Sequence, residues 1–155
     1  MLLLVDDEEG LRRGLAAFLR RRGVAVREAG CLAEALEAAA AERPGWVVTD
    51  LKMEDGTGLD LAAWLDARPW PVRLILMTGY ANRELLSGSP PAGVDLVLEK
   101  PVRPGRLAEK LAALGLGTEE EREEESRGAA ATPPESAAAR ARPELRDALW
   151  NSGKS

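Results

Sequence analysis

As far as about Leu114, short apolar runs alternate with longer stretches in which apolar residues recur every three or four positions. That alternation predicts strands and helices in turn, the signature of an α/β domain with a parallel sheet. The apolar runs are Leu2 to Val5, Val24 to Arg27, Trp46 to Thr49, Val72 to Met77 and Val94 to Leu98, which predicts five strands. Between the first two, "EEGLRRGLAAFLRRRG" places Leu11, Leu15, Phe18 and Leu19 on one helical face with arginines opposite, and Gly23 supplies a stop. "CLAEALEAAAAERPG" repeats the pattern through Leu32, Leu36 and Ala39 and ends before Pro44. A third helix near Leu59 to Ala67 stacks Leu61, Trp64 and Leu65, and the last, near Arg103 to Leu114, stacks Leu107, Leu111 and Leu114. In "ANRELLSGSPPAG" only one or two turns fit before Ser87, Gly88, Pro90 and Pro91 intervene, so the fourth helix is expected to be short or irregular.

From Gly115 the pattern stops. Residues 115–155 are first acidic, then rich in Ala, Pro and Ser, and read as a flexible linker or tail that cannot bury enough apolar surface to offset chain entropy. Near the end, "PELRDALWNSGKS" gathers Leu145, Leu149 and Trp150 into about two amphipathic turns; a frayed terminus is the plainer reading. The domain expectation is therefore one folded unit over 1–114 and a tail over 115–155.

Composition narrows the chemistry. A formal net charge of −5 does not provide the broad basic surface that nucleic acid requires. The single cysteine, Cys31, has no partner for an internal disulfide, and with no CxxC pair a reducing, cytoplasmic compartment fits. The opening "MLLLV" runs straight into "DDEE", too short for a signal sequence, and no stretch approaches the ~20 apolar residues of a membrane span. There is no histidine at all, which removes imidazole bases, His metal sites and His triads.

Polar residues at the ends of the predicted strands carry the remaining chemistry. In a right-handed βαβ sheet the strand C-termini share one edge, where ligands bind. Asp6 and Asp7 follow the first strand, Asp50 the third, Thr78 the fourth and Lys100 the fifth. Three carboxylates brought together repel one another unless a cation holds them, and an all-oxygen set suits a hard ion, Mg²⁺ above all. A lysine and a hydroxyl on the same rim complete a site for a phosphoryl group.

In the order "LVDDEE", "VVTDLKMEDGTGL", "ILMTGYA" and "VLEKPV", the chain resembles the receiver (CheY-like) domain of two-component response regulators over residues 1 to about 114. The resemblance implies a doubly wound, flavodoxin-like sheet of order 2-1-3-4-5 with about five helices. It implies that Asp50 is the phosphoacceptor, taking its phosphoryl group from a sensor histidine kinase or a phosphotransfer protein. It also implies Mg²⁺ bound directly by Asp7, mostly through water by Asp6, and by Asp50 and the backbone carbonyl of Lys52. Thr78 would move to meet the phosphoryl group. Lys100 would pair with Asp50 at rest and with phosphoryl oxygens afterward, held by a cis bond to Pro101. Such a protein is a signalling switch that catalyses its own phosphorylation and slow dephosphorylation, not an enzyme acting on a separate substrate.

Plainer readings stand beside these. Asp6 and Asp7 also fit an N-cap pair for the first helix, Thr78 a strand-end hydroxyl, and Lys100 a surface lysine with a buried stem. Gly56 and Gly58 read as turn residues, Trp46, Trp64 and Trp70 as packing, and Cys31 as an inert thiol. The chain also departs from the family pattern. Glu54 stands after Met53 where many receivers have proline, and Val97 replaces the switch aromatic three residues before the lysine, so signalling by rotation of that ring is not carried over. Tyr80, two residues after Thr78, is an aromatic expected close to the site, and the hypothesis it raises is that its ring shields an acyl phosphate from water.

Two other functions compete. A pseudo-receiver adaptor would keep the fold and bind partners constitutively; Val97 and the short fourth helix favour it, the intact acidic set opposes it. A phosphatase of the haloacid-dehalogenase type needs a second Asp two residues after its nucleophile, and that position is Lys52. Residues 115–155 lack an apolar core and a basic recognition helix, so direct DNA binding is not expected of them and output through protein contact is.

Overall fold

The structure is a computed structural model that describes residues 1–79 and 83–117. In chain order its elements are β1 (Leu2–Val5), α1 (Glu9–Arg21), β2 (Val26–Ala29), α2 (Leu32–Glu42), β3 (Trp46–Asp50), β4 (Lys52–Met53), β5 (Gly56–Thr57), α3 (Gly58–Asp66), β6 (Arg73–Thr78), α4 (Arg83–Ser87), β7 (Leu96–Glu99) and α5 (Pro104–Ala113). Five strands form one parallel sheet in the order β2-β1-β3-β6-β7. This is the predicted 2-1-3-4-5 order once the small antiparallel hairpin β4–β5, which the apolar pattern does not announce, is set apart. Among the described residues the fourth helix spans five, short as expected.

Helices cover both faces of the sheet, and the side chains of the central strands divide between them. Leu3 and Val5 pack with Val47, Leu74 and Leu76 against α2 and α3. Leu2 and Leu4 pack with Val48, Ile75 and Met77 against Leu15 and Leu19 of α1 and Leu107 and Leu111 of α5. Each large aliphatic side chain fully removed from water contributes about 1.5–3 kcal/mol, which makes these two layers the main stabilising term.

Local chemistry shifts several predicted boundaries. β2 begins at Val26, not Val24, because Val24 is drawn into the end of α1, its N–H donating to Leu19 O at 3.1 Å and its side chain buried with the α1 and α5 residues. β7 begins at Leu96, not Val94: the Val94 N–H closes a turn on Pro91 O at 3.0 Å, and the Asp95 carboxylate accepts from Leu74 N–H at 2.7 Å. On α2 the buried residues are Ala35, Ala38 and Ala39, while Leu32 and Leu36 are only half-buried. Of the predicted core face, Ala39 is buried as expected, while the two leucines pack at the edge of the contact.

Gly23, at φ +85°, ends α1 as predicted. Residues beyond Gly117, including Leu145, Leu149 and Trp150 of the predicted terminal turns, lie outside the described residues. Among the described residues no helix is long and apolar enough to cross a membrane.

Candidate functional site

β1 is buried along its whole length, and the chain turns polar where it leaves the sheet. Asp6 keeps one ladder bond, its N–H donating to Ala29 O at 3.1 Å, and its side chain is completely buried. Asp6 Oδ1 accepts from the Glu8 N–H at 2.9 Å. That bond makes a tight turn ahead of α1, so the N-cap is Glu8, without a side-chain cap bond, and the expectation of an Asp6–Asp7 cap pair is corrected. Asp7 is exposed.

The neighbouring strand β3 ends on Asp50, opposite Met77 of β6. Lys100, just past β7, is held by its own N–H donating to Thr78 O at 2.8 Å. Its ammonium then reaches back across the sheet edge, with Nζ 3.0 Å from both Asp6 Oδ2 and Asp50 Oδ2. Burial raises the pKa of the Asp50 carboxyl above its ordinary 3.8, with the Asp6 and Asp7 charges adding to the rise and Lys100 opposing it. For Lys100, burial works against the charge, but the hydrogen bonds to Asp6 and Asp50 outweigh it and its pKa lies above 10.5. The ammonium is therefore firmly charged beside a carboxylate that resists ionising.

The other predicted residues are distributed as follows. Thr78 is fully buried at the end of β6, and its hydroxyl lies 3.5 Å from Gly79 O, a long contact by hydrogen-bond standards. The Lys100–Pro101 peptide is cis. Lys52 opens the β4 strand with its side chain exposed, two residues past Asp50. Val97 sits mid-strand on β7, half-buried among residues packed on the α2 and α3 side. Tyr80 lies outside the described residues.

Two contributors escape a reading by pattern. Asp55, at the tip of the β4–β5 hairpin, accepts from Leu32 N–H at 2.8 Å and Ala33 N–H at 2.9 Å, tying the loop after Asp50 to the start of α2. Its "EDG" context signals a turn, and nothing nearby in the chain points to an amide 23 residues upstream. Gly58, read as a turn glycine, is instead a close-approach glycine. A Cβ there would stand 2.5 Å from the Asp50 carbonyl oxygen and 2.7 Å from Leu76 Cδ1. Its N–H donates to Leu51 O at 2.8 Å, and the Thr57 capping box with Asp60 starts α3 at that point.

Asp6, Asp7 and Asp50 each offer a carboxylate oxygen, and these atoms lie within 4.8 Å of one another. When all three are ionised, the one ammonium of Lys100 leaves a surplus of negative charge that a divalent cation would balance. An all-oxygen donor set with one exposed member fits a hard ion such as Mg²⁺, which keeps several of its own waters.

The chain matches the family model of the response regulator receiver domain over residues 2–112. It is 34% identical over 114 residues to the photosynthetic apparatus regulatory protein RegA of Cereibacter sphaeroides, covering 74% of this chain and 62% of that protein. With the DNA-binding transcriptional activator DevR/DosR of Mycobacterium tuberculosis it shares 33% identity over 118 residues, 75% of this chain and 54% of that one. The chain thus spans less than two thirds of the length of either relative. Among solved structures it superposes on the receiver domain of NtrX from Brucella abortus with a TM-score of 0.66 at 25% identity, over 73% of this chain and 96% of the other. A CheY-like receiver domain protein from Methanospirillum hungatei superposes with a TM-score of 0.64 at 28% identity, over 72% and 90%.

Proposed function

Because the chain belongs to the response regulator receiver domain family, we propose that Asp50 accepts a phosphoryl group from a sensor histidine kinase or phosphotransfer protein. The reaction is Mg²⁺-dependent, and the aspartyl phosphate switches the protein's contacts with other proteins. The observation that carries this reading is the Lys100 ammonium, 3.0 Å from both Asp6 and Asp50 within a triad of carboxylates.

In this reading an Asp50 oxygen attacks phosphorus in line. The new O–P bond forms as the N–P bond of the donor's phosphohistidine breaks, and the electron pair returns to the imidazole nitrogen. The Lys100 ammonium keeps its proton and shifts its contacts from the two carboxylates to phosphoryl oxygens, and Thr78 turns its hydroxyl to donate to another. Asp6, Asp7, Asp50 and the Lys52 carbonyl are the groups that would hold Mg²⁺. When bound, Mg²⁺ supplies the positive charge that neutralises the phosphoryl oxygens.

The same groups serve slow hydrolysis of the acyl phosphate, so the protein turns over on itself as a cytoplasmic signalling switch. From its place in the sequence, two residues after Thr78, we propose that Tyr80 slows hydrolysis of that acyl phosphate; equal or faster hydrolysis in wild type than in Tyr80→Ala would remove this role.

The test is incubation with a small-molecule phosphodonor such as acetyl phosphate, with and without Mg²⁺, read by intact mass. The reading expects a gain of one phosphoryl group that requires Mg²⁺ and is lost in Asp50→Asn. A second reading, the constitutive adaptor, draws on Val97 in place of the switch aromatic and on the five-residue α4. Folded protein that binds Mg²⁺ but gains no phosphoryl group from acetyl phosphate or from a phosphohistidine donor would favour it.

A further inference from the structure

Arg12, on the first turns of α1, folds back toward the end of β1. Its Nη1 donates to the Asp6 carbonyl oxygen at 2.9 Å, and its Nε donates to Glu28 Oε1 on β2 at 3.2 Å. The side chain is only 15% exposed. Glu28 is itself held from the other side by Arg20, whose Nη1 donates to Oε2 at 3.0 Å. Gly30 leaves the space that this guanidinium fills: a Cβ there would lie 3.1 Å from Arg12 Nη1. Groups from β2 and the loop after β2 thus settle the Arg12 guanidinium of α1, and that guanidinium holds one main-chain oxygen.

That oxygen belongs to the peptide group that joins Asp6 to Asp7. Because the peptide is planar, fixing the direction of its C=O constrains ψ of Asp6 together with φ of Asp7, and so the direction in which the Asp7 side chain leaves the backbone. The Asp6 side chain is already fixed by Glu8 N–H and Lys100. Asp7 is the exposed member of the triad, and its placement depends most on the main chain.

We propose that Arg12 is a positioning residue for Asp7: by holding the Asp6 carbonyl it presets the exposed carboxylate toward Asp50 for a divalent cation. The inference rests on the Mg²⁺ reading of the triad. A guanidinium serves the role because its rigid fork reaches a carbonyl and a carboxylate at once, where an ammonium offers a single point charge.

The experiment counts bound Mn²⁺, a carboxylate-binding stand-in for Mg²⁺, from the electron paramagnetic resonance signal of the free ion. It compares wild type, Arg12→Gln, Arg12→Lys, Glu28→Gln and, as control, Arg13→Ala, whose exposed side chain pairs with Glu9. Groups that orient metal ligands are commonly worth 10–100-fold in affinity, so Arg12→Gln is expected to weaken Mn²⁺ binding by about tenfold or more. Arg12→Lys should recover part of the loss and Arg13→Ala should match wild type.

Metal-free melts of the same samples separate the alternatives, since a purely structural role lowers the midpoint and leaves the affinity of the folded protein alone. A folded Arg12→Gln with affinity within about twofold of wild type overturns the inference. If Arg12→Gln does not fold, Glu28→Gln is judged by the same criterion. Wild type that takes up no Mn²⁺ overturns the metal reading itself.

Discussion

Lys100 holds the carboxylates of Asp6, just past β1, and Asp50, at the end of β3, at the same 3.0 Å, and Asp50 bears the cost of burial next to Asp6 and Asp7. Its carboxyl has a raised pKa, burial being the largest cause. A group that binds its proton more tightly when folded contributes stability below its unfolded pKa and loses that contribution as pH rises through the folded one. At neutral pH and without divalent ions, ionised Asp50 therefore opposes folding. Asp50→Asn is expected to raise the urea midpoint there, with the gain shrinking as pH falls toward the ordinary carboxylate value of 3.8. An Asn variant less stable than wild type at neutral pH would contradict the sign. This residue was legible in the chain because an apolar strand that stops on Asp is a local signal, and so were Asp6, Asp7, Thr78 and Lys100. The pairing of Lys100 with Asp6 as well as Asp50 was not, since it spans 94 residues and depends on side-chain reach across the sheet edge.

At the scale of elements, the loop after Asp50 is the part that pattern reading missed. Two-residue strands are too short to show periodicity, and the hairpin β4–β5 is held by Asp55, whose partners lie on α2. Hydrogen bonds from the Ala33 and Leu32 amides lower the Asp55 pKa below 3.8, so its anchoring is present above that value and lost as pH falls through the folded one. Asp55→Ala is expected to speed hydrogen exchange at the Leu32 and Ala33 amides at neutral pH. In acid the two proteins should converge. Unchanged exchange at neutral pH would mean that the hairpin is not what holds the start of α2. Gly58 gives the steric counterpart: Gly58→Ala forces a methyl against the Asp50 carbonyl and Leu76, and overpacking of this kind costs about 1–3 kcal/mol in urea denaturation. No cost would mean that α3 can slide away from β3.

For the whole molecule, the winding from β1 out to β2 and back across to β3 is what brings the site together. Five apolar runs separated by helical periods were enough to read this topology, because a parallel sheet with short right-handed connections leaves few alternatives. The face that each helix presents was less legible. Helical spacing puts Leu32, Leu36 and Ala39 on the core face of α2, yet Ala35, Ala38 and Ala39 are the buried residues and the two leucines are only half-buried. The central claim is that Asp50 receives the phosphoryl group, and reductive trapping addresses it most directly. Protein treated with acetyl phosphate and Mg²⁺ is reduced with borohydride, which converts an aspartyl phosphate to homoserine, and the peptides are then mapped. The account predicts homoserine at position 50 and nowhere else. Homoserine at another carboxylate, or none from protein that has gained a phosphoryl group, would contradict it.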